Sequence, residues 1–103
     1  MKQAKFSIGQ IIHHRRFDYR GVIVDVDPVF NGTEEWYQSV AKSRPPKDEP
    51  WYHVLVDKAL HETYVAEQNL EATVSIQPIQ HPLINNYFDR MVDGQYFPIN
   101  LHN

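Results

Sequence analysis

Cysteine is absent from this chain of 103 residues, and glycine is scarce at four. Without thiols there are no disulfides, no thiolate metal ligands and no cysteine nucleophile, a pattern that fits a reducing compartment. No apolar run approaches the roughly 18 residues of a membrane span, and Met1 to Phe6 lacks the apolar core of a secretory signal. A cytoplasmic protein without membrane contact is expected. A glycine-rich phosphate loop, a G-x-S-x-G elbow and an H-E-x-x-H helix are also missing, so the expectation is a protein that is not an enzyme and needs no cofactor.

What is present is an ordinary globular balance, 42% hydrophobic and 22% charged with seven prolines. Such a chain is expected to form one domain over residues 1–103 and to bury something over roughly 60% of its unfolded surface. The net charge of -3 hides an asymmetry. Lys2, Lys5, Arg15, Arg16 and Arg20 face only Asp18 in the first twenty residues, so the remainder is strongly acidic. Basic charge confined to one strand and loop suits a phosphate backbone or an acidic protein surface, whereas the rest of the chain repels DNA at long range.

Two segments, Tyr19 to Pro28 and Pro50 to Asp57, carry the clearest strand signal. In the first, simple alternation puts Val22, Val24 and Val26 on one face and Ile23, Asp25 and Asp27 on the other, with a bulge or close approach at Gly21. A strand from about Lys5 to His14, bent at Gly9, precedes them. After them, a hairpin pairing Asp57 with Glu62 leads into Glu62 to Ala66, a tight turn at 67–70 and a last strand over 71–76. Between the two main strands, Phe30 to Arg44 reads as a short helical insert, with Asn31 and Glu34 spaced as a capping box. Leu83, Ile84, Tyr87, Phe88 and Met91 predict a C-terminal helix of about nine residues, making 79–103 a helical extension that packs over the open end of the barrel or against a neighbouring subunit. Five short strands that must bury one apolar face are expected to close into a small, mainly β barrel.

The histidines and carboxylates are the residues that could carry chemistry. His13 and His14 leave opposite faces of a strand, and the expected hairpin puts His53 opposite Ala66 with His61 in the loop, so no metal site is predicted. Asp25 and Asp27 lie roughly 7 Å apart along one strand, a spacing open to acid–base work, but no nucleophile accompanies them and exposed outer-face carboxylates are the expectation. For DNA, the candidate phosphate contacts are Lys5, His13, His14, Arg15, Arg16 and Arg20. With Lys5 and the three arginines engaged, log affinity falls against log salt with a slope of roughly -4. For protein partners, the candidate surface is aromatic: Tyr19, Trp51, Tyr52 and His53, joined by Phe17 or Tyr64.

Phe6 to Gln10, Tyr19 to Phe30, Pro50 to Asp57 and Glu62 to Leu70, taken in this order, resemble the bacterial HspQ family, also called the YccV-like or hemimethylated-DNA-binding family. The likeness covers about residues 5 to 72. It implies an SH3-like five-stranded barrel in a heat-shock-associated cytoplasmic protein. It further implies binding of hemimethylated DNA and enhancement of proteolysis by Lon protease, with turnover of substrates such as the replication initiator DnaA. Self-association, as a trimer in some members, is implied as well. The tail from His81 to Pro98 departs from the shorter members and leaves the oligomer open.

Overall fold

The computed structural model describes residues 2–99. Five antiparallel strands form the main sheet: β1 (Ile11–His14), β2 (Arg20–Asp27), β3 (Trp51–Val56), β4 (Glu62–Ala66) and β5 (Leu70–Ala72). Their spatial order is β4-β3-β2-β1-β5. Among the described residues no ladder joins β4 to β5, which are linked by the 3-10 turn Glu67–Asn69, so the sheet stays open where a closed barrel was expected. The first and last strands are shorter than the sequence suggested. Gly9 explains the first: its φ of +90° turns the chain, and a Cβ there would lie 2.1 Å from the Tyr96 carbonyl oxygen.

The predicted close approach at Gly21 is present, since a Cβ would meet Val54 Cγ1 at 2.5 Å, but the bulge falls two residues on, between Ile23 and Asp25. That bulge overturns the simple alternation. One unpaired residue moves everything after it to the opposite face. Val26 therefore packs with Ile23, Tyr52 and Val54, and Asp25 and Asp27 stand opposite His53 and Trp51.

Both faces of the sheet are covered, which is why β3 reads as an almost unbroken apolar run. On one, Ile12, Ile23, Tyr52, Val54, Val65 and Leu70 form a core that Phe6 and Tyr19 flank. On the other, two separate covers lie side by side. The insert helix α1 (Glu34–Val40) seats Tyr37 with Ala41, Trp51 and Ala66. Its N-cap is Thr33, whose Oγ1 accepts from the Trp36 amide at 3.1 Å; Asn31, the expected cap, instead donates its amide to the Tyr64 hydroxyl.

The second cover replaces the predicted nine-residue helix. Only Ile84–Tyr87 is helical (α2), and the chain then forms a hairpin, β6 (Phe88–Val92) with β7 (Gln95–Pro98). Asp93 and Gly94 both take positive φ, as a two-residue hairpin turn requires, so the pair that was read as a helix stop is a strand reversal. Phe88 and Tyr96 pack on Ile11, Val22, Val24 and Leu55, and the Tyr96 hydroxyl accepts from the Ile79 amide at 2.8 Å. Among the described residues the extension thus covers its own sheet. The part of the predicted extension from 100 onward lies outside the described residues.

Candidate functional site

The basic segment folds as a tight loop around a buried imidazole. His14 is 3% exposed, and its Nδ1 accepts the amides of Arg16 and Phe17 at 3.1 Å each. Phe17 stacks on it at 4.8 Å and Tyr19 lies at 5.0 Å. An accepting Nδ1 fixes the neutral tautomer. Burial, reinforced by the charges of His13 and Arg16, holds the His14 pKa below its ordinary value. As a phosphate contact His14 is therefore corrected: it is the loop's core. His13 has the opposite environment, bonded at Nε2 to Asp18 (2.6 Å) and at Nδ1 to Glu71 (2.8 Å), and these two carboxylates raise its pKa.

The arginines divide. Arg20 is clamped, with Nη1 on Asp57 at 3.1 Å and Nη2 on the Gln77 carbonyl; its Nε is buried without a partner among the described residues. It ties β2 to the segment after β5 and is not free for phosphate. Arg15 donates Nε to the Leu70 carbonyl at 3.3 Å and lies 3.8 Å from Glu71, yet stays exposed. Lys5 is exposed, its amide fixed to Glu67 Oε2 at 2.9 Å. Only Lys5 and Arg16, of the six predicted DNA contacts, have charged groups without an ion-pair partner among the described residues.

The aromatic candidates need a larger correction. Trp51 and Tyr52 are 1% and 0% exposed, because both faces of β3 are core, and neither can meet a partner directly. Trp51 donates its indole N–H to the Pro46 carbonyl at 3.0 Å. Tyr52 donates to Glu67 at 2.5 Å, and its hydroxyl is pushed up to about 12 by burial and by that carboxylate. His53 and Tyr19 remain partly exposed, Tyr19 bonded to Thr63 Oγ1 at 2.7 Å.

The hairpin register also differs by two residues from the expected one: Leu55 faces Glu62, and His53 faces Tyr64 at 4.6 Å between rings. Lys58, at φ 60°, takes a left-handed turn position that lengthens the loop. This shift, together with the bulge in β2, assembles a group that the sequence reading kept apart. Asp27 Oδ2 accepts from Tyr64 (2.7 Å) and faces His53 Nε2 (3.1 Å), and one ligand atom each from Asp25, Asp27 and His53 lies within 4.8 Å of the others. Burial and Asp27 raise the Tyr64 pKa. The trio has the donor types of a divalent-cation site, while Asp27 is already engaged by two donors.

Beside this cleft, along the free edge of β4, runs a groove of about 370 Å³. Phe17 (72% exposed) stands on one side; Trp36 and Val40 (53% exposed) stand on the other, with Tyr64 between. Arg16 and Lys42 contribute to its lining, as does Glu62. Phe17 and Tyr64 were accessible to sequence reasoning as loose aromatics. Trp36 and Val40 were not, because their helical spacing signalled core packing.

The architecture is that of a small antiparallel β domain, an open sheet covered on both faces with an apolar groove along the edge of β4. The chain belongs to the YccV-like family: the family model described as "Hemimethylated DNA-binding protein YccV like" matches residues 4–95. It is also similar to F-box only protein 21 from Homo sapiens and from Pongo abelii, each 35% identical over 95 residues, and to the Mus musculus protein at 34%. These matches cover 90% of this chain but only 15% of the relatives' own length.

Proposed function

We propose that this domain is a non-enzymatic protein-binding adaptor and that, as its resemblance to HspQ implies, it promotes degradation of clients such as DnaA by Lon protease in the heat-stressed cytoplasm. One observation carries the reading. The apolar surface of Phe17, Trp36, Val40 and Tyr64 gathers in one groove at an open sheet edge, while His13, His14 and Arg20 are engaged within the fold. The strand order, with a 3-10 turn between the two edge strands, supports an SH3-like relationship. Decay of a Lon substrate is the test: the wild-type protein is expected to accelerate it and Phe17→Ala to remove most of the acceleration, and an unchanged rate with the wild-type protein sinks the reading for that substrate.

DNA is the second reading, favoured by the family description and by the exposed side chains of Lys5, Arg15 and Arg16. Three phosphate contacts give a log–log salt slope of roughly -3, hence weak binding at physiological salt. Recognition of a single missing methyl group requires apolar contact in the major groove. Methylated, hemimethylated and unmethylated duplexes titrated at two salt concentrations test both points; equal affinities at about 0.15 M salt eliminate methylation reading. Trimerisation rests on the resemblance, and the mass in solution measured across a concentration series decides it.

A further inference from the structure

We infer that the β4 groove binds its partner by strand addition, taking an extended segment whose run of apolar residues is flanked by carboxylates. This rests on the adaptor reading and specifies how the same surface is occupied. In the β3–β4 ladder the Val56 amide donates to the His61 carbonyl, and the Glu67 amide donates to the Pro50 carbonyl. In an antiparallel pair hydrogen-bonded and non-bonded positions alternate, so Thr63 and Val65 direct their backbone groups toward β3. Glu62 and Tyr64 direct theirs outward, to the side where β4 has no neighbouring strand among the described residues. Ala66, at 3% exposure, closes the far end, where Ala41 after α1 seats beside it.

Free edges are usually blunted by prolines, lysines or bulges, and β4 carries none of these. It carries the groove instead. An added strand points successive side chains to opposite faces of the sheet, so alternate residues meet Phe17 on one side and Trp36 with Val40 on the other. Arg16 and Lys42 line this groove without an ion-pair partner among the described residues, and Glu62 is the only acid in its lining. That balance favours a segment with acidic ends.

An end-blocked peptide, Asp-Glu-Val-Phe-Val-Tyr-Asp-Glu, serves as the probe, with amide hydrogen exchange on the full chain as the readout. The expected result is slowed exchange at the Glu62 and Tyr64 amides, with the already bonded Thr63 and Val65 amides unchanged. Methylating the peptide nitrogens at alternate positions is expected to weaken binding about tenfold or more in one phase and little in the other, because only one set faces β4. No protection at millimolar peptide overturns the inference, as do equal losses from both methylation phases. Protection of Tyr64 that rises with protein concentration alone assigns the edge to a second copy and equally overturns it. The two readings separate cleanly. Lon stimulation that depends on Phe17, without Tyr64 protection, removes strand addition and keeps the adaptor; peptide protection without stimulation does the reverse.

Discussion

The basic loop and the β4 groove look alike in sequence, each a mixture of aromatic and charged residues, and they differ in what is left unsatisfied. In the loop, His14 spends its free nitrogen on two amides and Arg20 is held by Asp57 and a carbonyl. At the groove, the Glu62 and Tyr64 backbone groups face outward with no strand paired to them among the described residues, and Phe17 is 72% exposed. Residue type thus says what a surface can bind, and the partners already inside the fold decide whether it is available.

The sharpest way to break this contrast is Arg20→Ala. Asp57 is nearly buried beside it, and leaving that carboxylate unpaired is expected to cost about 2–4 kcal/mol in urea unfolding. Loss of DNA retention with unchanged stability would instead make Arg20 a phosphate contact. His14→Ala strips the loop of its central acceptor and stacked ring, with an expected loss of about 2 kcal/mol.

A third test uses pH. The raised His13 pKa means that its contribution is complete below the unfolded value of 6.5 and disappears as pH rises through the folded value. The lowered His14 pKa works in reverse: its contribution is complete above 6.5 and is lost as pH falls through the folded value. His13→Gln is therefore expected to lower the Tm near pH 6 and to leave it almost unchanged near about pH 8.5. An equal loss at both values would mean that the two carboxylates do not act through the proton.

The smallest effects on stability belong to the exposed positions. Phe17→Ala, which loses only its stack on His14, should change unfolding free energy by about 1 kcal/mol or less, while weakening client binding about tenfold. Arg16→Ala should flatten the salt slope of any DNA binding by roughly 1 and leave unfolding untouched. A large stability loss in either variant would place that residue inside the fold's own network and erase the contrast.

Much of the frame was legible beforehand. Period-two patterning and proline breaks located β2, β3 and β4, and the insert helix followed from helical spacing. The site was less legible because it depends on two offsets of register. The bulge beyond Ile23 lies within a run of valine and isoleucine that carries no local mark, and the Lys58 turn shifts His53 from Ala66 to Tyr64. Each offset moves a carboxylate or a ring to a new neighbour, so Asp25, Asp27, His53 and Tyr64 meet only in three dimensions. The hairpin at Asp93-Gly94 failed for a different reason: its apolar residues also fit a helical period, and the turn signal was the better guide.

Gly9 has a bearing on the order of events as the chain folds. Its amide donates to Ile23 at 2.8 Å and its carbonyl accepts from Tyr96 at 2.9 Å, so one residue near the start fastens the second strand to the last hairpin. The cover over Ile11, Val22, Val24 and Leu55 cannot be fixed until Tyr96, more than eighty residues after Gly9, has been added. On the ribosome that apolar face stays open until the hairpin emerges, and Gly9 is one of the points, with Gln10 and Ile8, at which the hairpin then closes on it.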